Sequence, residues 1–74
     1  MTVAEQFGRN LRTARRHAFI SQEALARTAG LHRTEIGLLE RGRREPRLAT
    51  VIKLADALGV EAGDLIFRIR RNAS

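Results

Sequence analysis

The 74-residue sequence contains no cysteine, no tryptophan and no tyrosine, and only one proline. Without cysteine, neither a disulfide nor a thiolate metal site can form, which is compatible with a reducing cytosol. No run of apolar side chains exceeds three residues, and the opening segment "MTVAEQFGRN" lacks a hydrophobic signal core. We therefore expect neither membrane insertion nor secretion, and we interpret the sequence as soluble and cytoplasmic.

The sequence also lacks the groups that usually build an enzyme active site. It has no glycine-rich phosphate loop, no nucleophile paired with a base and no carboxylate pair in a setting that would shift a pKa. The two histidines, His17 and His32, lie in different predicted helices with no cluster of other ligands around them. We expect no enzymatic activity, no metal, no cofactor and no small-molecule ligand.

Lysine is almost absent, whereas arginine supplies thirteen of the fourteen basic residues and the formal net charge is +6. Residues 1–47 hold ten basic and five acidic residues, residues 48–67 hold one and three, and residues 68–74 hold three basic residues. Such a basic surface indicates a polyanionic partner, although arginine also covers ordinary solvated faces. A spread of arginine over several helices without tryptophan argues against a membrane-surface peptide and leaves nucleic acid.

Apolar residues recur at helical spacing along the chain, which predicts an all-α fold. A first helix is predicted from about Ala4 to His17, with Arg9, Arg12 and Arg16 facing outwards. Ser21 is a suitable N-cap for a second helix, and Gly30 is a suitable end because glycine enters the left-handed conformation without strain. The residues predicted to be buried in these two helices are Val3, Phe7, Leu11, Ala14, Leu25, Ala26 and Ala29.

A third helix should begin near His32 and end before Gly42, and it is too short to be stable unless it packs against the second. A basic loop that ends at Pro46 leads to a fourth helix, which Gly59 terminates. A last short helix is expected from about Glu61 to Phe67. The residues predicted to be buried in these three helices are Ile36, Leu39, Leu48, Val51, Leu54, Ala55, Leu58 and Leu65.

A helix, a tight glycine turn and a second short helix form a motif that lays its second helix in the DNA major groove. Counted from Gln22, Ala26 is fifth, Gly30 ninth, Ile36 fifteenth and Leu39 eighteenth. With the segments "LRTARR", "SQEALA", "LLERGRREP" and "KLADALGV" in this order, the sequence resembles the Cro/repressor-like helix-turn-helix family, also called the xenobiotic-response-element family. The resemblance covers about residues 7–67. It implies one compact five-helix, lambda-repressor-like DNA-binding domain over residues 1–74, with a core at about 4–67 and a basic tail at 68–74.

The resemblance also implies roles for individual residues. Arg33 would donate a bidentate pair to guanine, and the Thr34 methyl group or Leu38 would contact a thymine methyl group. The whole base-reading set implied by the family comprises His32, Arg33, Thr34, Gly37 and Leu38. Gln22 would contact a phosphate, and the segment "RGRREPR" adds further phosphate-binding candidates, Arg41, Arg43, Arg44 and Arg47.

Two further features of the family bear on the architecture. Arg15 and Glu40 are implied to form a structural ion pair between the first helix and the end of the third. Phe19 departs from the pattern, because the family usually has glycine there, and a phenylalanine in the left-handed conformation is strained.

The function implied by the resemblance is a transcriptional regulator that acts as a homodimer on double-stranded DNA with inverted half-sites. The short sequence is compatible with the controllers of restriction-modification genes found in this family. The alternative is an antitoxin or a protein-bridging adaptor with the same fold. We expect the dimer to form through the segment from Ile52 to Ile69, where Ile52, Val60, Ile66 and Ile69 exceed what one small core can cover.

Overall fold

The computed structural model describes residues 1–71. This part of the chain forms five helices: α1 (Val3–His17), α2 (Gln22–Ala29), α3 (Arg33–Glu40), α4 (Leu48–Leu58) and α5 (Ala62–Leu65). The predicted all-α, five-helix fold is thus confirmed. None of these helices is long and apolar enough to cross a bilayer. Residues 72–74 of the predicted basic tail lie outside the described residues.

Helix boundaries follow from local capping chemistry. Thr2 caps α1 in a reciprocal capping box: its side chain accepts a hydrogen bond from the Glu5 backbone N–H at 3.1 Å, and the Glu5 carboxylate accepts one from the Thr2 N–H at 2.8 Å. Ser21 caps α2 as predicted, since its hydroxyl accepts a hydrogen bond from the Ala24 N–H at 3.0 Å. Gly30 and Gly59 end α2 and α4 in the left-handed conformation, again as predicted.

The hydrophobic core lies where the five helices meet. α3 packs against α1 and α2, α4 packs against α2, and α5 packs against both α4 and α1. The largest fully buried side chains come from every helix and are Phe7, Leu11, Leu25, Ile36, Leu39, Leu54 and Leu65. Of the fifteen positions predicted to be buried, thirteen lie in or against the core, and the exceptions are Val3 and Leu48.

The prediction that Leu48 is buried was wrong, because 77% of this residue is exposed. Leu48 is the first residue of α4, and helical side chains lean towards the N-terminus. Leu48 therefore projects past the beginning of the helix instead of over the core, although it is in phase with the buried Val51. Helix α5 is also shorter than predicted, since it ends at Leu65.

α1 and the end of α3 are in close backbone contact at Gly8. A Cβ atom at this position would lie 2.5 Å from the Leu39 carbonyl oxygen and 2.7 Å from that of Glu40. Only glycine allows this approach, which seats the end of α3 directly on α1. The other side of α1 holds the end of α5, because the Asn10 side-chain amide donates hydrogen bonds to the carbonyl oxygens of Leu65 at 2.9 Å and Phe67 at 2.8 Å.

The turn between α1 and α2 passes through Phe19, which adopts a left-handed conformation with φ of 58°. Its N–H donates a hydrogen bond to the Arg16 carbonyl oxygen at 3.0 Å, as expected where a helix unwinds. The ring is 95% exposed, so burial of the side chain does not offset the backbone strain.

Candidate nucleic-acid interface

α2 and α3 form a helix-turn-helix unit joined by residues 30–32. Gly30 turns the chain with φ of 73°, and the Leu31 N–H donates a hydrogen bond to the Ala26 carbonyl oxygen at 2.8 Å. Leu31 is half-buried against the core, and Ala26 is buried beneath the turn. The small Ala26 side chain lets α3 pack closely across α2, so the second helix of the unit is held by its inner face while its outer face stays free.

The Glu40 side chain, at the end of α3, is fully buried and links three helices. Arg15 donates to both carboxylate oxygens, from Nε at 2.6 Å and from Nη2 at 3.0 Å. Gln22 Nε2 donates to Oε1 at 3.0 Å, and Arg12 Nε lies 3.5 Å from the same oxygen. The predicted ion pair of Arg15 with Glu40 is confirmed, and it forms part of a larger network that fixes α1, α2 and α3 relative to one another.

The electrostatics of this network favour the charged forms of both partners. Burial alone would raise the pKa of the Glu40 carboxyl group, but the hydrogen bonds from its three donors and the positive charge of Arg15 outweigh burial and lower that pKa. The hydrogen bond to Glu40 raises the pKa of Arg15. Arg15 also donates from Nη1 to the Ile20 carbonyl oxygen at 3.0 Å, which ties the turn before α2 into the network.

The outer face of α3 carries the side chains that the sequence predicts to read bases. His32 is the N-cap residue, but its side chain makes no capping hydrogen bond. His32, Arg33 and Thr34 are exposed, and Leu38 is half-buried. Within residues 1–71 none of the three exposed side chains makes a hydrogen bond or an ion pair, so their donors and acceptors remain available.

Gly37 differs from the rest of the predicted base-reading set because it is buried. The three atoms nearest to a Cβ built at this position all belong to the Arg41 guanidinium group, with Nη1 at 3.0 Å. The arginine that follows α3 therefore folds back over the helix and covers the glycine.

The loop between α3 and α4 presents the four arginines predicted to bind phosphate. Arg41, Arg43, Arg44 and Arg47 are all exposed. In the described part of the chain their guanidinium groups form no ion pair, although Glu45 lies among them. The loop thus carries four basic residues and one acidic residue, a net charge of +3, immediately beyond the outer face of α3.

Gln22, the remaining predicted phosphate contact, is half-buried at the first position of α2. Its bond to Glu40 places the beginning of α2 beside the residue that precedes the arginine loop. The backbone N–H groups of Gln22 and Glu23 make no backbone hydrogen bond within residues 1–71, and they lie at the positive end of a helix. The same segment therefore offers two backbone N–H donors close to the arginine loop.

The four residues predicted to form a dimer interface, here called the apolar patch, belong to the second half of the chain. Ile52 is 45% and Ile66 51% exposed, whereas Val60 and Ile69 are partly packed against the core. Phe67, which the sequence did not single out, is 60% exposed beside them in the chain. Ile52, Val60 and Ile66 lie in residues 48–67, the stretch with the lowest density of basic residues, whereas Ile69 lies in the basic segment that follows.

Sequence reasoning missed several residues that hold this surface in shape. Arg12 was assigned to the solvent, yet it is spaced three residues from Arg15 on α1 and approaches the same carboxylate. That spacing was a usable signal. A glycine inside an amphipathic helix was another, since Gly8 is where the backbone of α3 approaches α1. Nothing in the sequence pointed to the contact of Asn10 with the end of α5.

Comparison with known proteins places these features in a family. The family model described as "Helix-turn-helix" matches residues 11–65. The chain is 43% identical to control protein C.SmaI of Serratia marcescens over 68 residues, which cover 92% of this chain and 81% of that protein. It is 43% identical to control protein C.BamHI of Bacillus amyloliquefaciens over 61 residues, covering 81% of this chain and 75% of that protein. The crystal structure of the restriction-modification controller protein C.AhdI from Aeromonas hydrophila matches with a TM-score of 0.82 and 42% identity, covering 84% of this chain and 94% of that one.

Proposed function

The chain belongs to the Cro/repressor-like (xenobiotic-response-element) helix-turn-helix family of DNA-binding transcriptional regulators, and we propose that it acts as a homodimer on an inverted-repeat operator. One observation carries the proposal. The outer face of α3 and the adjacent arginine loop expose uncompensated hydrogen-bond donors, while the inner face of α3 is fixed by the buried Glu40 network.

In this proposal, the outer face of α3 recognises bases and the arginine loop binds backbone phosphates. Arg33, on the first turn of α3, would donate two hydrogen bonds to guanine, and Thr34 and Leu38 follow it in the same helix with methyl groups suited to thymine. The loop arginines bind phosphates, which supplies salt-dependent affinity but no base preference. Gln22 and the free N–H groups at the beginning of α2 add a phosphate contact.

The apolar patch and the small surface that one α3 helix can read both support a homodimer. Exposed Ile52 and Ile66 would be covered by a second copy of the chain. A two-fold dimer places two recognition helices in successive major grooves, so the half-site centres should be about 34–36 Å apart.

The likeness to C.SmaI, C.BamHI and C.AhdI supports a narrower assignment, the control of restriction-modification genes. These three proteins are named as controllers, and each match covers three quarters or more of the protein concerned. A cytoplasmic location is part of the proposal, since a regulator acts where its DNA is. The proposal includes no catalytic step, cofactor or small-molecule ligand.

The assignment of base recognition to α3 and of phosphate binding to the loop is tested in two steps. Bound fragments are first selected from a random double-stranded DNA pool, and two alanine variants are then measured on the selected operator and on random DNA. Arg33→Ala should weaken binding to the selected operator by about 1–3 kcal/mol and relax the preference at one base pair per half-site. Arg44→Ala should weaken operator and random DNA alike and reduce the salt slope by about one unit. Equal weakening by both variants with unchanged base preference would mean that α3 does not lie in the major groove. Loss of a protein partner with DNA binding intact would favour the adaptor instead.

The homodimer is tested separately by sedimentation equilibrium at tens of micromolar protein. We expect a dimer, together with a recovered motif made of two inverted half-sites. A monomer bound to an asymmetric motif would contradict the proposed assembly without affecting the role of α3.

A further inference from the structure

Gly37 and Arg41 form a contact between α3, which is proposed to recognise bases, and the arginine loop, which is proposed to bind phosphates. The assignment of these two roles to separate surfaces does not explain this contact. A Cβ atom at Gly37 would lie 3.0 Å from Nη1, 3.7 Å from Cζ and 3.7 Å from Nη2 of Arg41. All three atoms belong to the guanidinium group, so the Nη1 end of this group lies against the position of the missing side chain. Gly37 is buried, although it belongs to the outer face of α3.

The geometry of the helix explains how the two residues meet. Arg41 caps the end of α3, and the positions Arg33, Gly37 and Arg41 are four residues apart, so they form one row along the helix surface. Side chains on a helix lean towards its N-terminus, which directs Arg41 back over Gly37 and towards Arg33. Arg41 is thereby placed on the outer face of the helix rather than out in the loop with Arg43, Arg44 and Arg47.

The chemistry of this position suits recognition of a base edge. The Arg41 guanidinium group forms no hydrogen bond and no ion pair with any other side chain of residues 1–71, so its N–H donors are free. A planar guanidinium group matches the O6 and N7 acceptors of guanine with two parallel hydrogen bonds. A group already held against the helix loses less freedom when it binds than one at the tip of a mobile side chain.

We propose that Gly37 and Arg41 act as one base-reading unit, in which Arg41 reads a guanine and Gly37 contributes by leaving room for the guanidinium group. This rests on the proposed function, in which α3 lies in the major groove. It gives Arg41 a specificity-determining role in place of the phosphate contact predicted from the sequence. Each half-site then has two base pairs read by arginine, one by Arg33 and one by Arg41.

The test measures operator, single-base operator variants and random DNA with the variants Arg41→Ala, Arg41→Lys and Gly37→Ala. Arg41→Ala should weaken operator binding by about five- to 150-fold and relax the preference at a base pair different from the one that Arg33→Ala relaxes. Arg41→Lys retains the charge but not the fork of donors, so it should lose the same preference while binding random DNA like the original chain.

Gly37→Ala tests the seating of the guanidinium group. Alanine is a better helix former than glycine, so this variant should fold at least as well, but its methyl group would lie 3.0 Å from Nη1 and would push the guanidinium group of Arg41 out of its present position by a few tenths of an ångström. We expect a smaller loss at the same base pair as in Arg41→Ala, and no further loss when Gly37→Ala is added to Arg41→Ala. Gly63→Ala is the matched control for folding stability, because a Cβ atom at this helical glycine meets nothing within 4 Å.

Three results would overturn the inference. Arg41→Ala could weaken all DNA equally and lower the salt slope by about one unit, which would make Arg41 a phosphate contact. Arg41→Ala could leave binding unchanged. Gly37→Ala could cost as much with Arg41 absent as with Arg41 present, which would mean that Gly37 acts alone. In each case the result for Arg33→Ala decides whether the proposed function stands. If Arg33→Ala still relaxes the preference at its own base pair, the proposed function is intact. If it relaxes no preference, both the proposed function and the inference about Arg41 fail.

Discussion

Arginine is used in two opposite ways on the two sides of α3. At the junction with α1, Arg15 and Arg12 surround a carboxylate that has no exposed surface, and no buried side-chain polar atom in the described residues lacks a hydrogen bond. On the outer face and in the loop, the guanidinium groups are exposed and unpaired within the described chain. Paired arginine at the junction fixes the position of α3, and unpaired arginine on the other side has free donors for the phosphates and bases of the proposed complex.

This contrast predicts that substitutions at the junction and on the outer face affect different properties, stability in the first case and DNA affinity in the second. A change at the junction should lower the free energy of unfolding, because it leaves a buried group without a partner. A change on the outer face should lower DNA affinity and leave stability nearly unchanged, since exposed substitutions cost little.

The largest effect is expected for Glu40→Ala. Only 14% of the Arg15 side chain is exposed, and without Glu40 its charge would lack compensation. We expect the free energy of unfolding to fall by about 3–5 kcal/mol, measured by urea denaturation followed by circular dichroism. Glu45→Ala, in the exposed loop, is the control and should change stability by less than about 0.5 kcal/mol. Similar small effects for both variants would mean that the junction does not hold α3.

Gly8→Ala should cause the next largest loss in the free energy of unfolding. A methyl group at this position would press on the carbonyl oxygens of Leu39 and Glu40, and backbone atoms cannot move aside as a side-chain tip can. We expect a loss of about 1–3 kcal/mol even though alanine is the better helix former. Gly63→Ala adds the same methyl group to an open helical position and should not destabilise the protein. If Gly8→Ala matched that control, the two helices would not be as closely packed as described.

A pH titration sharpens the same comparison. The pKa of Glu40 is lowered in the folded protein, so its contribution to stability is fully present above the ordinary value of 4.5 and is lost as pH falls through the lowered pKa. Glu5 adds to this acid sensitivity, because hydrogen bonds from the Thr2 backbone and side chain also lower its pKa. The stability of Glu40→Gln should therefore decline less steeply between pH 5 and lower pH than that of the original chain. Parallel curves for the two proteins would exclude Glu40 as an important acid-sensitive group.

The contrast also explains which features the sequence could predict. The helices, their order and the caps at Ser21, Gly30 and Gly59 depend on local spacing and on single residues, and these were predicted correctly. The pair of Arg15 and Glu40 was available only through the family resemblance, because its partners are 25 residues apart. Local patterns contain no information on such distant contacts.

The features that the sequence did not predict involve tertiary contacts or the ends of helices. Leu48 has the right spacing for burial, but as the first residue of α4 it projects past the beginning of the helix and 77% of it is exposed. The network around Glu40 also recruits Arg12 and Gln22, which depends on how three helices meet. The position of Arg41 over Gly37 depends on a side-chain direction that a residue spacing only suggests.

The smallest expected effect concerns Phe19, which belongs to neither side of α3. Its left-handed backbone costs a phenylalanine about 1–2 kcal/mol, and its ring is 95% exposed, so little burial is lost by removing it. Phe19→Gly should raise the free energy of unfolding by about 0.5–1 kcal/mol, after allowing for the greater entropy of unfolded glycine. Ala18→Gly is the matched control, because Ala18 is right-handed with φ of −82°, and it should lower stability. Opposite signs in urea denaturation, with unchanged operator affinity, would show that Phe19 only forms the turn. Weaker operator binding by Phe19→Gly would instead add this exposed ring to the DNA-binding surface.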